Sequence, residues 1–293
     1  MARPAVRRPQ LAWLGVLPFL IFCVLFMLLP ILFLVIGSFQ NAQGELTVQN
    51  YIDLGDRYTA TAYRNSIELS LTTAVIGGVF GFLLALAVIL GRLPKAIRSA
   101  VLTFSGVASN FAGVPLALAF VFTLGQLGLI TRFLDSTFDL KLYQVAFFGG
   151  KFSLYSRLGL ILVYVYFQFP LMVLIIAPAI DGLKREWREA SENMGATAFQ
   201  YWRYVGLPIL MPSLLGSMIL LFGNAFGAQA TAYQLTSGTI PLVPIVIGSQ
   251  ISGDVLFNPN LGYALAMGMV FIMAITITIY SVLQRRSERW LRS

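Results

Sequence analysis

The sequence predicts an all-α, polytopic membrane protein of about six transmembrane helices, and two observations carry that prediction. Hydrophobic residues fill 58% of the 293 positions and charged residues only 11%, with a mean hydropathy of +0.80, far from the balance of water-soluble domains. Charge-free stretches also recur along the chain, and roughly 20 helical residues suffice to cross a hydrocarbon core about 30 Å thick.

The first stretch follows Arg3, Arg7 and Arg8 and carries no charge from Pro9 to Gly44. Its dense apolar part, residues 11–39, reads as span one. It is too long for a signal-peptide core and lacks a small-residue cleavage pattern, so a retained anchor is expected, kinked or broken at Pro18 and Pro30. Span two is residues 69–91, between Glu68 and the basic cluster Arg92, Lys95 and Arg98. Span three is residues 99–130, with Gly113 and Pro115 marking a break or a tilted end. Leu134, Phe138 and Leu142 follow at helical spacing beside Asp135, Asp139 and Lys141, as in an interfacial amphipathic helix. Span four is residues 158–180. The stretch from Tyr204 to Gly253 has no charge, but Ser237, Gly238, Pro241 and Pro244 interrupt it. It therefore reads as span five, residues 208–231, then a loop with a short helix or re-entrant piece near Ile245 to Ser252. Span six is residues 261–283, closed by Arg285, Arg286, Arg289 and Arg292. No internal repeat stands out, and residues 1–293 read as a single transmembrane domain.

With the N-terminus inside, fourteen Lys and Arg fall on one side of the membrane and six on the other. That bias places both termini in the cytoplasm. It also accounts for the formal charge of +8 without nucleic acid, since the basic residues sit at span ends and form no aromatic-interleaved patch. The single cysteine, Cys23, allows no intrachain disulfide, and histidine is absent. Imidazole metal sites and Ser-His-Asp chemistry are thereby excluded.

One polar segment separates spans four and five: DGLKREWREASENMGATAFQYWRYVGLP, residues 181–208. It has no Gly or Pro from Leu183 to Met194, and Gly195 then stands where a helix stops. Glu189, Glu192 and Asn193 share a face, with Ala190 and Met194 as a neighbouring small or apolar strip. The segment resembles the EAA loop of binding-protein-dependent ABC permeases, whose form is E-A-A, three residues, G, nine residues, I-x-L-P. Glu189, Ala190, Ser191, Gly195, Val205, Leu207 and Pro208 match at that spacing, with serine for the second alanine and valine for isoleucine.

The resemblance implies a type I ABC importer permease fold and a bacterial cytoplasmic (inner) membrane location. It further implies that residues 181–207 form a coupling loop seated on an ATPase subunit, Glu192 lying on the same helix. The expected partners are a second permease in a heterodimer, two ATPase subunits, an extracytoplasmic solute-binding protein and the lipid bilayer. No cofactor is expected on this chain; ATP and Mg are used by the partner ATPase. In agreement, the chain has no phosphate-binding loop, Gly149, Gly150 and Lys151 being followed by Phe152. The break-rich region 237–258 and the start of span six resemble polyamine-importer permeases in particular, although a sugar, an amino acid or an oxyanion or metal complex suits the spans as well.

Gly77 and Gly81 in span two, and Gly223 and Gly227 in span five, form G-x-x-x-G pairs suited to close helix packing. Asn224, Gln229, Thr231, Tyr233 and Gln234 cluster on or just past span five, and polar groups at membrane depth face protein or water, so Asn224, Gln229, Tyr233 and Gln234 are expected on a translocation path. Glu68 and Asp254 are expected at its outer mouth. A membrane-embedded enzyme would need a cluster of ionisable groups at one membrane face, and a secondary transporter would need charges deep in its spans. Neither pattern occurs outside the 181–208 segment.

Overall fold

Six helices of the computed structural model are long and apolar enough to cross a membrane: Gly15–Ser38, Arg57–Leu90, Gly113–Phe138, Arg157–Asp181, Ala198–Gly227 and Pro259–Arg285. The structure describes residues 12–91, 93–147, 150–252 and 258–292. By its internal contacts the chain divides into two compact units. One joins residues 1–56 with 247–269, and the other joins 57–246 with 270–293.

In the first unit, α1 (Ala12–Cys23) and α2 (Leu29–Ser38) are joined through a single π turn, Val24–Leu28. Pro30 lacks an N–H and would clash with the preceding turn of a regular helix. The wider turn absorbs the fault, with the Leu29 N–H donating to the Val24 carbonyl. The helix continues past Pro30 to Ser38. None of its most apolar 18 residues is buried within the chain. At its end Asn50, on α3 (Gln49–Asp53), donates to the carbonyls of Ser38 and Gln40. Asn260 donates to the Gly37 carbonyl at 2.9 Å, and the Tyr263 ring lies where a side chain on Gly37 would be.

The second unit is built on α4 (Arg57–Leu90), which starts well before the expected Leu69. Its first turns carry Arg57 and Arg64, which suit a helix but not hydrocarbon, so the apolar pattern alone locates only the later part. Span three is interrupted at Gly113, where the sequence marks a break, although its membrane-length part runs on to Phe138. The run 99–130 is broken into α5 (Lys95–Asn110) and α6 (Gly113–Leu124), because Gly113 takes a left-handed conformation at φ +74 that residues with a Cβ avoid. With α7 (Leu129–Phe138), α6 makes up the third membrane-length helix. The amphipathic helix expected through Leu142 stops at Phe138, where Asp139 adopts φ 48. Leu142 belongs to a 3-10 turn, followed by the paired two-residue strands β1 (Ala146–Phe147) and β2 (Gly150–Lys151).

Next come α8 (Arg157–Asp181), α9 (Arg185–Asn193), α10 (Ala198–Tyr201), a second π turn at Trp202–Gly206, and α11 (Leu207–Gly227). The expected fifth span, 208–231, ends early: the backbone turns extended at Ala228 before α12 (Ala230–Thr236). Then follow α13 (Val243–Ser252) and α14 (Pro259–Arg292). Helix α4 packs along both α8 and α11. Gly77 and Gly81 admit the backbone of α8 so closely that a Cβ on either would sit 2.6 Å from the Cβ of Gln168 or Met172. Small residues permit this approach where lipid supplies no hydrophobic drive. The second pair differs, since Gly223 meets Met273 while Gly227 faces open space. Leu69, Leu116, Val163, Tyr164, Phe167, Ala225 and Leu235 form the core.

Candidate functional site

The polar segment after α8 folds as a surface helix with its charges paired internally. Arg185 donates to Glu189 at 2.6 Å and Arg188 to Glu192 at 2.8 Å, both at i,i+4 spacing. Such exposed pairs stabilise a helix by only about 0.3–0.5 kcal/mol each. Ser191 is the buried member of the motif, and its hydroxyl donates to the Arg188 carbonyl at 2.8 Å. Glu189, Ala190 and Glu192 are exposed, and Met194 is 81% exposed.

Gly195 terminates α9 at φ +80, its N–H donating to the Glu192 carbonyl at 2.9 Å. Thr197 and Gln200 then form a reciprocal capping box that starts α10. The π turn Trp202–Gly206 passes directly into α11, where Leu207 and Pro208 occupy the first positions. Val205, Leu207 and Pro208 are therefore part of one unbroken helical path from the surface segment into a membrane-length helix. The other end is anchored too: Arg98 of α5 donates to both carboxylate oxygens of Asp181, each at 2.7 Å.

The polar residues around the end of α11 divide into two groups. Asn224 and Gln229 are exposed and, with Ser109, Gly113, Gly227 and Thr231, line a concavity of about 410 Å³. Tyr233 and Gln234 are exposed on α12 and do not line it. Thr231 is buried, accepting from the Gly113 N–H at 2.9 Å and donating to the Gly113 carbonyl at 3.2 Å. It ties the break between α5 and α6 to α12, so its position at the concavity is structural. Sequence reasoning missed Ser109 and the Gly113 break as neighbours of Asn224; no local pattern links positions so far apart in the chain.

Glu68, expected at the outer mouth, is engaged by two arginines, Arg64 at 2.8 Å and Arg157 of α8. A carboxylate between two guanidinium groups leaves the cluster net positive. Asp254 lies outside the described residues. Among those residues no group of three or more His, Cys, Asp or Glu side chains could hold a metal.

Comparison with known proteins places this geometry. Residues 77–293 match the family described as "Binding-protein-dependent transport system inner membrane component". The chain belongs to that family and is a multi-pass inner-membrane permease subunit, non-catalytic, of an ABC importer whose ATPase is a separate subunit. It is 27% identical over 256 residues, 82% of the chain and 84% of the relative, to a probable sulfate transport system permease protein, cysT, of Nephroselmis olivacea. It is 24% identical over 278 residues, 88% of each, to the spermidine/putrescine transport system permease protein PotB of Haemophilus influenzae. To the trehalose transport system permease protein SugB of Mycobacterium tuberculosis it is 28% identical over 243 residues, 82% of the chain and 78% of the relative. In fold it is similar to a crystal structure of a bacterial ABC transporter involved in the import of the acidic polysaccharide alginate. There the TM-score is 0.73 at 18% identity, over 94% of this chain and 95% of that one.

Proposed function

We propose that this chain forms half of the solute path of a binding-protein-dependent importer, paired with a second, non-identical permease, and that α9 is its lever on an ATPase subunit. Two ATPase subunits and an extracytoplasmic solute-binding protein complete the assembly in this reading. The observation that carries it is the surface helix α9, stopped at a left-handed Gly195 and followed by a continuous helix into α11. A rigid element of this kind converts a push from a partner into movement of a membrane helix. The charge bias puts this segment and both chain termini in the cytoplasm. Reporter fusions after Ser293 and within residues 236–238 should then report opposite sides of the membrane. Two reporters on one side would overturn the orientation.

The solute path, on this reading, passes the concavity holding Asn224 and Gln229, with Tyr233 and Gln234 further along it. Its lining favours an uncharged, hydroxyl-rich solute over a polyamine. No ionisable side chain is among the lining residues, and Glu68, the described acid expected to attract a cation, is held by two arginines. Amide and hydroxyl groups suit a solute that both donates and accepts hydrogen bonds. In vesicles carrying the intact importer, uptake of labelled trehalose should change little between low and physiological ionic strength and fall on Asn224→Leu with Gln229→Leu. Putrescine uptake that is efficient and drops steeply with salt would reverse the assignment.

A further inference from the structure

The helical path Ala198–Gly227 has 30 residues, about 45 Å of helix at 1.5 Å per residue. A hydrocarbon core of about 30 Å uses some 20 of them, a length that α11 from Pro208 onward supplies. With residues 208–227 in the hydrocarbon, the first ten, from Ala198 to Leu207, fall at headgroup depth. Their composition agrees: Phe199, Tyr201, Trp202 and Tyr204 fall within six positions, as in the aromatic belts of membrane interfaces.

A groove of about 480 Å³ opens here, lined by Phe199, Trp202, Arg203, Tyr204, Leu207 and Pro208 and extending to Met211. The groove is built by its backbone. The Trp202 ring lies over Gly206, where a Cβ would come within 2.8 Å of the ring, and the buried Tyr201 meets it edge-on at 5.7 Å between centroids. Phe199 and Tyr204 are 73% and 70% exposed, so the walls are not filled by the rest of the chain. Arg203 is exposed, stacks only on Tyr204 at 5.8 Å, and has no carboxylate partner among the described residues. The contrast with its neighbours is informative, because Arg98, Arg185 and Arg188 are each paired.

We infer that this groove binds an anionic phospholipid, its phosphate on the Arg203 guanidinium and the upper part of an acyl chain along Trp202, Leu207, Pro208 and Met211. Charge complementarity selects the headgroup, and the apolar floor running toward the hydrocarbon selects a lipid over a free anion. The site makes the starting turns of α11 an anchorage point in the bilayer and does not depend on which face of the membrane they occupy.

The test uses the purified, full-length importer in phosphatidylcholine vesicles containing the same mole fraction of brominated phosphatidylglycerol or brominated phosphatidylcholine. Trp202 fluorescence is isolated by subtracting the Trp202→Phe variant. One cationic side chain at a bilayer surface enriches an anionic lipid about five-fold; Trp202 should thus be quenched several-fold more by the phosphatidylglycerol probe, and Arg203→Gln should abolish the difference. Phosphatidylglycerol retained in native mass spectra of the wild type and lost from Arg203→Gln gives an independent reading. Equal quenching by the two lipids, or a preference that survives Arg203→Gln, would overturn the proposal. So would a Trp202 protected from both lipids while the ATPase subunits are bound and exposed once they are stripped, which would make the groove a protein contact.

Discussion

Gly195→Pro is expected to reduce ATP-driven uptake to background while the amount of protein inserted in the membrane stays unchanged. Gly195 sits at φ +80, whereas proline is confined near φ −65. Proline would also delete the N–H that donates to the Glu192 carbonyl, so the end of α9 must be rebuilt and its bearing on α10 lost. Membrane insertion is insensitive, because Gly195 lies outside every membrane-length helix. Gly195→Ala separates conformation from bulk: nothing lies within 4 Å of an added Cβ, leaving only the left-handed strain of about 1–2 kcal/mol, and uptake should be partly retained. Glu189→Lys places a second cation four residues from Arg185, which weakens the isolated helix by only about 0.2–0.5 kcal/mol. A severe loss of uptake and of ATPase co-purification in that variant would therefore report a lost contact with the partner. Normal uptake in Gly195→Pro would show that α9 is not the lever.

Gly81→Leu should have the largest effect on stability. An added Cβ falls 2.6 Å from both the Met172 Cβ and the Phe169 carbonyl, so α4 and α8 must separate along the face they share. Overpacking costs typically about 1–3 kcal/mol and more where backbone must move. Thermal melting in detergent should show a lowered midpoint or no folded protein, with Gly81→Ala intermediate. A contrasting control is Gly227→Ala, whose Cβ would meet nothing within 4 Å and should leave the midpoint unchanged. Equal melting of Gly81→Leu and wild type would mean that the helices do not meet at this face.

Much of this was legible in the sequence because lipid is an exacting solvent. Membrane-length helices must be apolar, so six of them could be counted from charge-free runs, and the surface segment stood out as the polar insertion between two of them. The breaks were harder. Gly113 and Pro115 mark the break within the uncharged run 99–130, but hydropathy does not show the extended backbone at Ala228. Chemical roles were harder still. Thr231 reads as a polar group at membrane depth, and only its two bonds to Gly113 reveal a clamp. Glu68 reads as an acid at a span end, while its partner Arg157 lies 89 residues away. Polar type is written locally, but the partner that decides its use is not.

The two π turns set the phase of the helices that follow them. Each precedes a Leu-Pro pair, at Val24–Leu28 and at Trp202–Gly206, and each holds one residue more than an α-helical turn would. One residue corresponds to about 100° of helical phase. The buried positions along the fifth membrane-length helix show the slip: Tyr201 and Gly206 are five apart, and Leu210 follows after four, with Ser217 and Leu221 later on the same side. A chain without the extra residue would present the groove face and the core face rotated by about a quarter turn relative to each other.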